Sequence, residues 1–267
     1  MTTTLLVRIA EAWALAATVQ FVLWLVQLRT KNAGIVDVGW ALSFAPIAAL
    51  FAWRSTSCAC GWGVIAAITT VWSLRLGGYL IARGAAGPTE EGRYKDLRAR
   101  WAPHASRNFF VFFQAQAALT GILASAFAVP FIVEPTTTWP RAVGGAIAII
   151  GILGESVADA QLARFKRNPA NKGKVCDVGL WGWSRHPNYF FEWCVWIGYA
   201  VYCLAFGRWG LIALVPQAII FASIFGVTGI PPTENQAIRS KGDAYREYQK
   251  RVSRFVPRPP KSRGNDA

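Results

Sequence analysis

GLWGWSRHPNYFFEW, Gly179–Trp193, is the stretch around which the chain is organised. A tryptophan pair, Trp181 and Trp183, precedes a cation, Arg185, and an imidazole, His186. Pro187 disfavours the α region for the residue before it and itself fits the first turn of a helix. A helix is therefore predicted from Pro187. It carries Asn188, Tyr189 and Glu192 into an apolar run that continues Trp193-Cys194-Val195-Trp196-Ile197-Gly198-Tyr199-Ala200. Such a helix end, with Arg and His outside and Asn and Glu one turn inside, suits an anionic ligand. Its free N–H groups and its dipole both favour negative charge there.

Working outward, the apolar run is one of several. Of 267 residues, 54% are hydrophobic and 13 are tryptophan, and the mean hydropathy is +0.30. Charged residues make up 16%, against about a quarter in a soluble domain. Several runs approach the roughly twenty apolar residues that cross a bilayer. The expectation is an all-α polytopic membrane bundle in one transmembrane domain over 1–267. About seven spans are predicted, near 9–28, 34–53, 61–82, 109–133, 142–165, 187–207 and 209–230, followed by a cytoplasmic amphipathic helix over 234–252. The first run is too long for a removed signal peptide and lacks a small-residue cleavage signature after it.

Basic residues sort the loops. Arg29 and Lys31, the stretch 83–107, the stretch 164–185 and the C-terminal tail are basic, whereas the loops near Cys58, Pro135 and Arg208 carry little charge. The positive-inside rule then places the N-terminus outside and the C-terminus in the cytoplasm. The net charge of +14 is read as juxtamembrane, touching membrane lipids and not nucleic acid. Cys58-Ala-Cys60 is too tight and isolated for zinc, so no metal is expected, and five cysteines suggest no disulfide framework. Neither a GxGxxG after a strand nor a GxxxxGK[ST] occurs, which excludes Rossmann and P-loop sites.

Ionisable residues within apolar spans are costly and are functional candidates by default. Here they are Asp37, Arg75, Glu155, Asp159 and Glu192, with Asn188, Gln161, Tyr79 and Tyr189 as neutral company. In the topology above all lie in the cytoplasmic halves of their spans. Two readings stand for Arg75, snorkelling to the interface or pairing with Asp37. Two also stand for Glu155 and Asp159, which share a helix face at i, i+4: a salt-bridge network with Lys166, Arg167 and Lys174, or a ligand site.

RYKDLRARW after WSLRLGGYL, then GLWGWSRHPNYFFEW, then GDAYREYQKRVSRFVPRPPK, resembles the bacterial membrane family DUF1295, from about Asp37 to Lys261. That family is related to the steroid 5α-reductases and more distantly to the isoprenylcysteine carboxyl methyltransferases. The resemblance implies a bacterial inner-membrane oxidoreductase with NADPH bound in its cytoplasmic half. Asn188 and Glu192 match the reductases' NxxxE, and Asp159 matches their fifth-helix acid. Lys166 and Lys174 fall where phosphate-binding arginines stand, and Arg93 and Tyr94 match an RxY-like loop. Arg185 and His186 belong to an RHPNY form shared with the methyltransferase branch, and Glu155 stands where the reductases have an amide.

The resemblance also implies the chemistry: hydride transfer to the C=C of an enone in a lipophilic, 3-oxo-Δ4-steroid-like substrate entering from the bilayer. The activating glutamate aligns near Asp37, a shorter acid. Its tyrosine partner aligns near Trp72, which has no phenol, and Tyr79, about two turns on, is the substitute. In this scheme a buried, protonated Asp37, assisted by Tyr79, hydrogen-bonds the substrate carbonyl. The rival expectation is an S-adenosylmethionine-dependent methyltransferase, which would use Glu234 and the Tyr245/Tyr248 helix. Abundant Lys and Arg around 166–174 favour the phosphorylated cofactor.

Overall fold

The computed structural model describes residues 1–90, 92–226 and 229–261. Among these, ten α-helices occur and no sheet: α1 (Thr2–Thr30), α2 (Ile35–Trp53), α3 (Ala59–Ala82), α4 (Gly92–Arg100), α5 (Ala105–Ala128), α6 (Trp139–Arg167), α7 (Pro187–Cys203), α8 (Leu214–Phe225), α9 (Ile230–Lys241) and α10 (Asp243–Arg251). Six segments are long and apolar enough to cross a membrane: α1, α2, α3, Ala105–Phe131, α6 and the stretch Pro187–Lys241. The protein is an all-α polytopic membrane bundle. The helix predicted from Pro187 begins there.

Several expected bounds need correction. The spans 187–207 and 209–230 become α7, a 3₁₀ segment over Leu204–Ala213, and α8. Phe206 and Gly207 leave the helical region, Gly207 at φ 61°, and a Cβ on Gly210 would stand 1.7 Å from the Cys203 carbonyl oxygen. Hydropathy registers the apolar run but not this break in its hydrogen bonding. α1 and α6 extend beyond 9–28 and 142–165 into polar flanks. The span 109–133 is α helix only over Ala105–Ala128, ending in a 3₁₀ turn over Val129–Phe131. The amphipathic helix over 234–252 is two helices, broken at Gly242 (φ 54°). Pro231 and Pro232 lie inside the first turn of α9, where the missing N–H costs nothing.

The chain divides into two compact units, Met1–Arg141 with Tyr202–Pro216, and Ala142–Val201 with the residues from Gln217 on. In the first, α1 packs on α5 and α2, and α2 on α3. Glycines set these contacts, as small residues do between membrane helices. Gly39 faces Leu23 and Gln20, Gly77 faces Leu42, and Gly121 faces the Trp13 backbone. The core is aromatic: Trp40, Phe44 and Trp72 meet edge to face, and Phe44, Phe51, Phe127 and Phe131 continue the stack. Buried Gln20 donates to the Val36 carbonyl at 3.1 Å, tying α1 to α2. Ser73 accepts from Ala45 N and donates to Ala41 O, bracing α2 just before Pro46, whose ring disturbs the helix ladder.

The second unit rests on α6 against α7. A Cβ on Gly154 would lie 2.3 Å from the Phe191 ring, and one on Gly198 2.7 Å from Ala148. The two helices therefore touch over the turns that carry Glu155 on α6 and Glu192 on α7. α9 and α10 pack together, with Tyr245, Tyr248 and Val252 buried beside Val175, Ala237 and Ile238.

Candidate functional site

In the second unit the expected cofactor residues occupy two settings. Glu155 and Asp159 are 4% and 3% exposed on α6, one turn apart on one face. On α7, Asn188 is half-buried and Glu192 accepts a hydrogen bond from Trp196 Nε1 at 2.9 Å. Lys166 and Lys174 are solvent-exposed, at the end of α6 and in the loop after it.

Between α6 and that loop lies a cavity of about 540 Å³ lined by Gln161, Arg164, Phe165, Asn168, Asn171, Val178 and Gly179. Its wall is built from side chain to backbone bonds. Gln161 Oε1 accepts from Leu180 N at 2.9 Å, Asn171 Nδ2 donates to Phe165 O at 3.0 Å, and Asn168 Oδ1 caps the following turn at Ala170 N. Gly179 takes φ 58°, with Gln161 atoms 2.6–2.7 Å from where a Cβ would be, so a side chain there would be strained and would displace the Gln161 amide. Arg164, Asn168 and Asn171 were not singled out from sequence. Their signal was the Asn-Pro-Ala-Asn-Lys-Gly run, which reads as a capped turn and not as a binding wall.

Arg185 and His186, read above as suiting an anionic ligand, are engaged within the protein. Arg185 Nε donates to Glu234 Oε1 at 2.7 Å, and its Nη1 donates to the carbonyls of Gln249 and Val252, both at 2.9 Å. His186 Nε2 lies 3.2 Å from the same Glu234 oxygen, and Gln249 Nε2 donates to the other at 3.0 Å. The His186 ring stacks on Tyr189, and Tyr248 donates to Trp181 O at 2.5 Å. The segment beyond α10 completes the clasp, with Arg185 N donating to Ser253 O and Ser184 Oγ to Phe255 O. RHPNY thus anchors the C-terminal helices. Burial holds the His186 imidazole below its usual range, outweighing the upward pull of Glu234. Burial also pushes the Tyr245 and Tyr248 phenols up, so both stay protonated donors.

The first unit holds the two expected catalytic residues, and Asp37 sits in a polar cluster. Asp37 lies in the first turn of α2, where its charge suits the helix dipole. Arg93 of α4 ion-pairs with it, and Tyr94 OH donates to its Oδ1 at 2.9 Å. Asp37 is the acceptor in both contacts, and the phenol the structure records on it is that of Tyr94. Tyr79 lies under the Arg75 guanidinium, 5.6 Å from ring centroid to Cζ. α4 is held in place by its neighbours: Glu90 accepts from Ala33 N and from Arg98 at 2.7 and 3.0 Å, and Asn32 donates to Ala85 O and Gly87 O. Burial would raise the Glu90 carboxyl, but the Arg98 and Ala33 hydrogen bonds prevail and lower it.

A family model described as "Protein of unknown function (DUF1295)" matches residues 23–252. The chain belongs to the DUF1295 family. No curated protein and no solved structure matches it. The family match takes in the three sets of residues described above, apart from Ser253 and Phe255 at the end of the clasp.

Proposed function

We propose that this DUF1295 protein is an NADPH-dependent membrane reductase acting on the enone C=C of a lipophilic, 3-oxo-Δ4-steroid-like substrate. The observation that carries the reading is the cavity at the basic end of α6. It combines three carboxamides, Gln161, Asn168 and Asn171, with Arg164, beside exposed Lys166 and Lys174. That donor set fits a phosphorylated nucleotide. Its volume lies within the range of small-molecule sites. When bound, NADPH would supply the hydride.

The chain's own residues bind and orient. Arg164, Lys166 and Lys174 meet phosphate charge at an interfacial dielectric, where attraction is several-fold stronger than in water. The buried carboxylates of Glu155 and Asp159 and the amide of Asn188 are assigned to the hydroxyl and amide groups of the cofactor, with Glu192 beside Asn188. Arg185 and His186 are positioning residues that hold the C-terminal helices. In the substrate half, Asp37 is an acceptor, so the proton donor to a substrate carbonyl is assigned to a phenol. Tyr94, already on Asp37, comes first and Tyr79 second.

The test is cofactor binding to detergent-purified protein, comparing NADPH, NADH and S-adenosylmethionine by calorimetry. NADPH is expected to bind best and to weaken at least about tenfold, ~1.4 kcal/mol, in Asn188→Ala, Lys174→Ala and Arg164→Ala. Binding of S-adenosylmethionine without NADPH would move the protein to the methyltransferase reading and overturn this one.

A further inference from the structure

We propose that Cys58 and Cys60 form a reversible thiol–disulfide centre, which exchanges electron pairs with dithiols at the end of the bundle opposite Asp37. Five cysteines suggested no disulfide framework, yet these two are joined and exposed, Cys58 at the N-cap of α3 and Cys60 in its first turn. Asp37 stands in the first turn of α2 and Cys58 beyond its last, so the pair is independent of the polar cluster around Asp37.

Three observations give the pair a chemical role in place of a structural one. First, the bond closes a loop with a sequence separation of 2, and so short a loop leaves little chain entropy for a cross-link to remove. Second, the loop is fastened without it. Cys58 N donates to Glu134 Oε1 at 2.6 Å, Ser57 Oγ to Pro130 O at 2.5 Å, Ser55 Oγ to Phe131 O at 2.9 Å and Thr56 N to Phe131 O at 3.0 Å. Arg141 donates to the Cys60 carbonyl. Third, Cys58 is the N-cap of α3, and its sulfur accepts from Cys60 N at 3.1 Å. A sulfur there is stabilised as thiolate by the helix end. The Glu134 carboxylate opposes this and sets how far the stabilisation goes. Of the remaining cysteines, Cys176 and Cys203 are buried and Cys194 half-buried, which leaves the 58–60 pair as the accessible one.

The step balances as a two-electron exchange. A partner thiolate attacks Cys58 Sγ, the S–S electrons pass to Cys60, and Cys60 takes a proton from water. The partner's second thiolate then attacks the partner sulfur of the mixed disulfide, forms the partner's disulfide and releases Cys58 as the thiolate its helix end favours. Two electrons pass from the dithiol to the cysteine pair; the dithiol's two protons go to water, and one returns on Cys60 while Cys58 stays the thiolate. The loops at this end are poor in basic residues, so the proposal takes it as the outer face, where disulfides persist.

The test equilibrates full-length protein in detergent with mixtures of reduced and oxidised dithiothreitol, quenches with acid, alkylates, and weighs the peptide carrying both cysteines. A reversible transition between zero and two alkylated thiols is expected. In oxidised glutathione, Cys60→Ser is expected to gain a glutathione on Cys58 about tenfold faster at neutral pH than Cys58→Ser gains one on Cys60. A pair that stays oxidised in excess reductant, a pair that stays reduced in excess oxidant, or equal rates in the two variants would overturn the proposal. So would a melting midpoint lowered by more than about 4 °C in either variant, since that would make the bond structural.

Discussion

Two carboxylates of this protein each hold an arginine and a ring side chain, and the two sets differ chiefly in how much water reaches the arginine. Glu234 meets Arg185, His186 and Gln249, with the Arg185 side chain 9% exposed. Asp37 meets Arg93 and Tyr94, with the Arg93 side chain 51% exposed. The same pair chemistry therefore serves two ends. In the buried set every member depends on the others, because any one left alone is a desolvated charge or donor. In the open set water replaces Arg93 when it is removed, so that contact can be exchanged for a ligand at low cost. A binding role suits Asp37, Arg93 and Tyr94, and a holding role suits Glu234 and Arg185.

The sharpest way to break the contrast is Glu234→Ala. It strips Arg185, His186 and Gln249 of their shared acceptor. Removing one partner of a buried pair costs about 3–5 kcal/mol. The melting midpoint in detergent should fall by far more than in any substitution at the open set, and protease should cut after α9 sooner. An unchanged midpoint would mean that the clasp contributes nothing.

Next in size is Tyr94→Phe. Tyr94 is buried, and it donates to a charged acceptor, a bond worth about 1.5–3 kcal/mol net. Asp37 keeps Arg93 and gains water, so the lower half of that range is expected from thermal unfolding. The same variant should slow substrate turnover more than Tyr79→Phe if Tyr94 is the phenol that serves the substrate.

How much of this was legible in the sequence follows from the range of each signal. The helix start at Pro187 is local, set by one proline and the residue before it, and it was read correctly. The apolar runs gave the spans, because bilayer length is a property of a window. α4 was invisible in RYKDLRARW, because what fixes it is Tyr94 reaching Asp37 and Arg98 reaching Glu90. The first of those bonds spans 57 residues. Arg185 read as suiting an anionic ligand because its acceptor, Glu234, lies 49 residues on. Cys58 and Cys60 read as neither a zinc site nor part of a disulfide framework, because their spacing says nothing of exposure or of the helix cap. Local chemistry was readable, and partner choice was not.

His186 supplies a pH test of the clasp. Burial lowers its folded pKa below the ordinary 6.5, so the unfolded chain takes up a proton that the folded one refuses. The stability this represents is intact above about 6.5 and is lost as pH falls toward the lower folded value. The loss is at most about 1.4 kcal/mol per pH unit. The groups facing the ring are Glu234, Arg185 and Arg254, and both arginines act in the same direction as burial. Melting midpoints from pH 7.5 down to 5.5 should therefore fall, and His186→Gln should flatten that slope. A midpoint that rises on acidification would show instead that Glu234 holds the ring protonated.

The smallest effect belongs to Arg93→Ala, and salt makes it informative. A half-exposed pair is worth about 0.2–1 kcal/mol. Packing of the guanidinium on the Tyr94 ring, 4.6 Å away, adds a part that ionic strength does not reach. Screening length falls from about 8 Å at physiological ionic strength to about 3 Å at 1 M. The stability difference between wild type and Arg93→Ala should therefore shrink as sodium chloride rises, while the Glu234→Ala difference stays the same. Equal salt responses at the two carboxylates would mean that exposure does not separate them. Asp37 would then be as fixed as Glu234 and a poor candidate for contact with any substrate.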